Sequence, residues 1–135
     1  MVFLYEIKLL LPNIQIVGFD ISKYGLSNSK KEIRNYLFDH PAEKAYPFED
    51  NSFDLVISIG CLHNLRIQEL ETALREIQRV SKRAYTLVES YRSLSEFFNL
   101  QCWALTANSL FDVDEWIWIY SKFGYSGDYE FIYFT

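Results

Sequence analysis

Residues 45–65, AYPFEDNSFDLVISIGCLHNL, lead from an acidic loop through a continuous apolar run to a tail of small and polar residues. The run at 53–59 has the length and the β-branched content of a buried strand. After the tail, Leu70, Ala73, Leu74, Ile77 and Val80 recur at spacings of three and four, which indicates an amphipathic helix. A buried strand that continues into such a helix predicts a unit of a parallel α/β sheet.

The same alternation of helix and strand continues in both directions along the chain. Helices are predicted at 2–11, 22–37, 70–80, 95–105 and 112–124. Strands are predicted at 14–21, 53–59, 84–90 and 128–135, with a loop and at most a short edge strand over 38–52. This order predicts one α/β domain over residues 1–135, with a mostly parallel sheet flanked by helices.

Composition limits the possible functions. Half of the residues are hydrophobic, which excludes a disordered chain, and the net charge of −5 argues against non-specific binding to nucleic acids. Cys61 and Cys102 have no metal-ligand spacing, so a reducing compartment and no metal site are expected. The apolar N-terminal stretch carries Glu6 and Lys8 and is too short to span a bilayer. We therefore expect a cytoplasmic protein that binds neither membranes nor nucleic acids.

Parallel sheets bind ligands at the carboxyl ends of their strands, which here are three short segments. Asp20 closes the first strand and would accept hydrogen bonds from a ribose diol, or act only as a turn or cap residue. The carboxyl end of the strand at 53–59 carries Ser58, Ile59, Gly60 and Cys61. Small residues there would let a ligand approach the backbone or serve only the strand-to-loop transition. Asp54 lies at the opposite end of that strand and is interpreted as structural.

His63 is the histidine nearest to a strand end. It is a candidate general base, with the alternative that it is a packing residue. Glu89, Ser90 and Tyr91 follow the strand at 84–90 and would either line a substrate pocket or close the core. The three tryptophans are interpreted as core or interface residues. The chain has no Ser–His–Asp order, zinc spacing or phosphate-binding loop, which argues against hydrolase and NTPase functions.

Five segments carry a family resemblance by their order: VGFDIS (17–22), a Pro-Phe loop (47–48), NSFDLVIS (51–58), GCLHNL (60–65) and ALREIQRVSK (73–82). Together they resemble class I S-adenosylmethionine-dependent methyltransferases, over roughly residues 1–90 and again at 111–135. The resemblance implies a Rossmann-like fold, S-adenosylmethionine as cofactor and a small molecule as methyl acceptor. It also implies that 91–110 would form a variable cover over the substrate.

The resemblance assigns roles to individual residues as well. The implied cofactor-binding positions are Asp20, Ile21, Ala42, Glu43, Ile59, Gly60 and Cys61. Asp20 would bind the ribose hydroxyls and Ile21 would flank the adenine. Pro41 replaces the carboxylate that the family has before Ala42, so Asp39 or Glu43 would substitute for it. The segment from Ile59 to His63 would border the region of methyl transfer, with His63 as the candidate catalytic residue.

One element of the family pattern is missing. Class I enzymes carry a Gly-x-Gly loop after their first strand, whereas the glycines here are at positions 18, 25, 60, 124 and 127. The chain therefore resembles a methyltransferase domain that begins one strand and one loop late. Such a sheet would have unpaired strand edges, and those edges or the aromatic C-terminal third would support a homo-oligomer.

Two functions follow from these observations. The first is methyl transfer to a small molecule, impaired to the extent that cofactor binding needs the glycine loop. The alternative is a non-catalytic Rossmann-like module that acts by self-association or partner binding. A fragment of a dinucleotide-dependent oxidoreductase is a weaker third hypothesis, because that class also needs a glycine fingerprint.

Overall fold

The computed structural model of the chain describes residues 2–135, in which helices and strands alternate. The helices are α1 Val2–Leu10, α2 Lys23–Ser27, α3 Ile67–Val80, α4 Leu94–Trp103 and α5 Val113–Lys122. The strands are β1 Gly18–Asp20, β2 Leu37–Asp39, β3 Phe53–Ile59, β4 Ser81–Glu89 and β5 Asp128–Ile132. Short 3₁₀ turns lie at Arg34–Tyr36 and Leu62–Asn64. Within residues 2–135, no helix has the length and apolar character needed to span a bilayer.

The chain divides into two compact units, and the first of them ends at Ala42. This unit contains α1, α2 and a parallel pair of three-residue strands, β1 and β2. Asp20 is paired with Asp39 in that ladder, so both strands end on a carboxylate. Ser22 caps α2 as predicted, because its side-chain oxygen accepts a hydrogen bond of 3.0 Å from the N–H of Gly25.

The second unit, Glu43–Thr135, contains a three-stranded sheet. All its strands are parallel, and the central strand β4 lies between β3 and β5. Helix α3 buries Leu70, Ala73, Leu74, Ile77 and Val80, the five residues whose spacing predicted the helix. Each large aliphatic side chain buried in this way stabilises the fold by about 1.5–3 kcal/mol, so α3 is a main contributor to the core.

Helix α5 also packs into this unit. It buries Trp116, Ile119 and Tyr120, and the hydroxyl of Thr86 on β4 donates a hydrogen bond of 3.0 Å to the Tyr120 hydroxyl. Burial raises the pKa of Tyr120 well above its ordinary value, so this bond stays between neutral groups. The contact gives the buried phenol a partner and fixes α5 against the central strand.

Several predicted features are confirmed. The fold class is the predicted one, an α/β architecture with parallel sheets and flanking helices, and β3 has the predicted bounds. The capping box of α5 is present: Asp112 Oδ1 accepts from the N–H of Glu115 at 2.8 Å, and Glu115 Oε2 accepts from the N–H of Asp112 at 2.9 Å. Gly124 follows α5 with a φ of 73°, the left-handed conformation expected after a helix.

Other predicted bounds are wrong. The helix predicted at 22–37 ends at Ser27, where the Ser27 hydroxyl and the Asn28 amide both donate to the carbonyl of Tyr24. Short polar side chains that bond to the local backbone in this way compete with helix continuation. The strand predicted at 14–21 is limited to Gly18–Asp20, because its partner β2 is only three residues long. Strand β4 begins at residue 81, earlier than the predicted 84.

Candidate active site

The carboxyl ends of β3 and β4 lie side by side in the second unit. Ile59, the last residue of β3, is paired with Leu87, two residues before β4 ends at Glu89. The backbone then turns away from the sheet at Gly60, whose N–H donates to the carbonyl of Leu87 at 2.9 Å and whose φ is 60°. Because a residue with a Cβ rarely adopts that conformation, the turn needs glycine at this position.

Beyond this turn, His63 meets Glu89. His63 lies on the 3₁₀ turn Leu62–Asn64, and its Nδ1 is 2.6 Å from Oε2 of Glu89. Both side chains are buried, with exposed fractions of 6% and 4%. The contact is an ion pair by distance, and neither atom makes a hydrogen bond within residues 2–135. The histidine and the carboxylate are therefore each other's polar partner, at the end of the sheet where ligands bind.

The chemistry of this pair follows from the carboxylate. A carboxylate that is ionised only accepts hydrogen bonds, so a proton lying between Glu89 and His63 would be carried by Nδ1 of the imidazole. In a neutral imidazole Nε2 is then the nitrogen with a free lone pair, and it can accept a proton from a ligand. A carboxylate that fixes the tautomer of a histidine is the arrangement found in base-catalysed enzymes.

The segment 104–110, which follows α4, is attached to the backbone around His63. The N–H groups of Asn108 and Ser109 both donate to the His63 carbonyl at 3.0 Å. The Asn108 amide donates to the carbonyl of Asn64 at 2.9 Å, and the Ser109 hydroxyl donates to the carbonyl of Leu65. All three carbonyls from 63 to 65 thus accept hydrogen bonds from one segment, which fixes the position of the 3₁₀ turn.

A cleft of about 370 Å³ opens beside His63, within the range of small-molecule sites. It is lined by Gly60, His63, Asn64, Trp103, Ala104, Leu105 and Thr106. The ring of Trp103 is 5.7 Å from the His63 ring and 4.8 Å from that of Phe134, measured between centroids. A smaller cavity of about 240 Å³ lies at the start of β4, the opposite end of the sheet. The cleft at His63 is therefore the candidate ligand site.

The predicted site residues of the second unit are only partly brought together. Gly60 and His63 line the cleft, whereas Ile59 and Cys61 are not among its lining residues. Ile59 is 44% exposed at the end of β3, and Cys61 is half-buried before the 3₁₀ turn. Glu43, also half-buried, is the first residue of this unit. Its charge is among the causes that raise the pKa of Tyr46, after burial of that phenol and the charge of Cys61.

The predicted site residues of the first unit are Asp20, Ile21 and Ala42. Asp20 is half-buried at the end of β1, and its Oδ1 accepts a hydrogen bond of 3.0 Å from the N–H of Ser22. This is the turn role that was the alternative to ribose binding. Its Oδ2 has no hydrogen-bond partner among residues 2–135, so that oxygen is open to a ligand. Ile21 is exposed, and Ala42 closes the unit.

Sequence reasoning missed two features of the site. Glu89 was expected to line a pocket or close the core, but its pairing with His63 was not predicted. The signal was present, since Glu89 ends β4 and His63 follows the end of β3, and these two strands are neighbours in the sheet. The tryptophans were assigned to core or interface, yet Trp103 lines the cleft while Trp116 is buried. Asp54, interpreted as structural, accepts a hydrogen bond from Lys82 at the far end of β3, where its carboxylate is exposed.

Comparison with known families identifies the lineage. The family model of a methyltransferase domain matches residues 4–88, a range that extends from α1 almost to the end of β4. A comparison with curated proteins returned no match, and neither did a comparison with solved structures. The family match covers more than half of the chain and includes β3, the turn at His63 and α3. The chain therefore belongs to the methyltransferase-domain family, as its resemblance to class I S-adenosylmethionine-dependent methyltransferases implied.

Proposed function

We propose that this chain transfers a methyl group from S-adenosylmethionine to a small-molecule acceptor that binds in the cleft beside His63. The observation that carries this proposal is the buried pair of His63 and Glu89 at the carboxyl ends of two adjacent parallel strands. Membership in a methyltransferase family supports methyl transfer in general. The pair adds a histidine that can take up the proton which the small molecule loses when it is methylated.

His63 acts as the general base in this proposal. Glu89 holds the proton on Nδ1, which leaves the lone pair on Nε2 to take the proton of the acceptor. Both side chains are buried, so the carboxylate holds the imidazole in one orientation. The 104–110 segment fixes the backbone of His63 through the two N–H groups that donate to its carbonyl, which keeps the base in position.

Within the first unit, taken by itself, Asp20 is the residue that we propose as a ligand for ribose hydroxyls. When bound, S-adenosylmethionine supplies a methyl group on a sulfonium, which is transferred to the acceptor. The half-buried carboxylate of Asp20, with Oδ2 open, fits hydrogen bonds from ribose hydroxyls. Its Oδ1 is oriented by the N–H of Ser22, so the side chain needs little reordering on binding.

The first experiment measures donor binding by calorimetry. S-adenosylmethionine and its demethylated product are titrated into the wild-type chain, into Asp20→Asn and into the control Asp54→Asn, whose carboxylate is exposed and paired with Lys82. We expect binding to wild type and to the control, and affinity about tenfold or more lower in Asp20→Asn. Absence of heat with folded wild-type protein at millimolar ligand would overturn the proposal and favour a non-catalytic module.

The second experiment tests the base. A mixture of small hydroxyl, amine and thiol compounds is offered with S-adenosylmethionine, and formation of S-adenosylhomocysteine is followed by mass spectrometry. His63→Ala should reduce the rate by about 10²- to 10⁴-fold, the usual contribution of a general base. Donor affinity measured by calorimetry should stay within about threefold of wild type, since His63 is assigned to the acceptor. Equal rates in the two proteins would show that His63 is a packing residue.

A further inference from the structure

The residues that line the cleft indicate which kind of molecule would bind there. Trp103 is 49% exposed, and Leu105, which also lines the cleft, is 95% exposed. Exposed rings and aliphatic side chains at a concave surface bind aromatic ligands well, because stacked or edge-on rings add to the burial of apolar area. A cleft of about 370 Å³ accommodates one or two fused rings.

The charges of the cleft set a second condition. Among the described residues that line it, none is Lys, Arg, Asp or Glu, and His63 is the titratable one. Glu89 lies behind His63 and has its Oε2 against the imidazole. A carboxylate, phosphate or ammonium group on the ligand would lose its hydration without gaining an opposite charge, which is costly. The ligand is therefore uncharged where it contacts the cleft.

His63, as the proton acceptor, sets a third condition, which concerns the acidity of the ligand. An imidazole removes a proton more readily from a stronger acid than from a weaker one. A phenol has an ordinary pKa of about 10, as in tyrosine, whereas an aliphatic hydroxyl is about as weak an acid as water. A phenol also places its hydroxyl at the edge of a flat ring, so that the ring can contact Trp103 while the oxygen approaches His63, whose ring is 5.7 Å away.

From these conditions we infer that the acceptor is an uncharged phenol, which is methylated on its hydroxyl oxygen. This inference rests on the methyl transfer proposed above. The phenol O–H bond breaks and its proton passes to Nε2 of His63. The phenolic oxygen forms the new O–CH₃ bond as the S–CH₃ bond of the methylsulfonium donor breaks and its electron pair stays on sulfur. The products are an aryl methyl ether and a neutral thioether, and the proton on His63 leaves to solvent.

The test measures binding of phenol itself to the chain without any methyl donor, by saturation-transfer NMR and calorimetry. Cyclohexanol, benzoate and benzylamine are the comparison probes, since they remove the ring, add a negative charge and add a positive charge. Phenol is expected to bind at least about tenfold more tightly than each of them. Equal or tighter binding of any of the three would overturn the inference.

Substitutions of Trp103 test whether phenol binds in this cleft. Trp103→Ala should weaken phenol binding about tenfold, and Trp103→Phe, which keeps a ring, should stay within about threefold of wild type. Trp118→Ala is the matched control, because that tryptophan is 58% exposed on α5 and does not line the cleft. Unchanged affinity in both Trp103 variants would overturn the inference, and preserved binding in Trp103→Phe excludes misfolding as the cause of a loss in Trp103→Ala.

The two proposals fail in different ways. If phenol binds at Trp103 but neither phenol nor any other acceptor is methylated with S-adenosylmethionine, methyl transfer is wrong while the phenol site stands. If the chain methylates amines, thiols or aliphatic alcohols and neither binds nor methylates phenol, methyl transfer stands and the phenol inference is overturned. Formation of methyl phenyl ether that depends on His63 supports both.

Discussion

Glu89 ends strand β4, His63 lies shortly after the end of the neighbouring strand β3, and their side chains are 2.6 Å apart. Each side chain is positioned by a rigid element. Glu89 is itself the last residue of strand β4, and His63 lies on a 3₁₀ turn whose carbonyls accept hydrogen bonds from the 104–110 segment. A site built on such elements keeps its geometry better than one built on free loops.

The first prediction concerns the charge of Glu89. Glu89→Gln keeps an oxygen that accepts the Nδ1–H bond but removes the negative charge that fixes the tautomer. We expect the methyl-transfer rate kcat to fall by about 10²- to 10⁴-fold with a small change in KM for the acceptor. Nitrogen-15 NMR of His63 should show protonation shared between Nδ1 and Nε2, whereas wild type is protonated at Nδ1.

Glu130→Gln is the matched control for this change. Glu130 is an exposed carboxylate on the adjacent strand β5, where it accepts a hydrogen bond from the Tyr85 hydroxyl. Its replacement should leave the rate and the histidine NMR signals unchanged, since exposed pairs contribute little. An unchanged tautomer in Glu89→Gln would contradict a positioning role for Glu89, even if the rate fell.

The second prediction concerns backbone strain at Gly60. A Cβ at this position would lie 3.4 Å from Glu89 Oε1, an ordinary contact, so the cost of Gly60→Ala comes from its φ of +60°. We expect a loss of about 1–2 kcal/mol in the free energy of unfolding, measured with urea. Gly60→Asn should lose less, because asparagine tolerates the left-handed conformation.

Gly124→Ala is the control that distinguishes an effect on stability from an effect on the rate of methyl transfer. Gly124 has a φ of +73° after α5, and a Cβ there would meet only Arg75 Nη1 at 3.8 Å. Both alanine variants should lose similar stability, but only Gly60→Ala should slow methyl transfer, since Gly60 sets the direction in which the chain leaves β3 towards His63. Equal rates in the two variants would show that this turn does not position the base.

The third prediction concerns the attachment of the 104–110 segment. Ser109 is 1% exposed, and its hydroxyl donates to the carbonyl of Leu65. Ser109→Ala removes a buried donor and should cost about 1–3 kcal/mol of stability. Hydrogen exchange of the amides of Asn108 and Ser109, which donate to the His63 carbonyl, should become faster.

Ser126→Ala is the control for that serine. The Ser126 hydroxyl accepts a hydrogen bond from the Gln78 amide at an exposed position, so its loss should cost less than about 0.5 kcal/mol. If Ser109→Ala loses no more stability than this control and its amides exchange at wild-type rates, the segment is not held in the way that the structure indicates.

Patterns in the sequence correctly predicted the helices and strands that depend on interactions between neighbouring residues. β3 and α3 were predictable because a run of apolar residues and a 3.6-residue period act on neighbouring positions. The capping box between Asp112 and Glu115 was predictable for the same reason. The helix predicted at 22–37 failed because Ser27 and Asn28 bind the backbone of α2 and end it, a competition that periodicity does not reveal.

The site was less predictable, because its contacts join separate elements. His63 was identified from its place after a strand, but its partner Glu89 depends on which strands are adjacent. Trp103 was missed because α4 carries apolar residues on several faces, with Leu94 and Phe98 exposed and Leu100 buried, so its sequence does not show which side faces the cleft. Such facts depend on tertiary packing, which overrides local preference.

The last prediction concerns the pH dependence of stability. Glu76 accepts hydrogen bonds from the Arg79 guanidinium at 2.7 Å and from the N–H of Tyr46 at 2.6 Å, and Arg79 also donates to the carbonyl of Phe48. The Arg79 hydrogen bond, followed by that from Tyr46, lowers the pKa of Glu76 below its ordinary value of 4.5, against the effect of burial. A carboxylate with a lowered pKa in the folded state stabilises the fold above pH 4.5, and this stability is lost as the pH falls through the folded pKa.

Glu76→Gln should therefore be less stable than wild type by about 1 kcal/mol at pH 7, a figure that allows for partial exposure of the pair. The difference should shrink as the pH falls below 4.5, where protonation removes the same charge from wild type. Urea unfolding at pH 7, 5 and 3.5 measures it. Glu71→Gln on the same helix is the control, because its exposed pair with Arg75 contributes about 0.5 kcal/mol or less. A difference that is constant with pH would mean that Glu76 acts through packing and not through its charge.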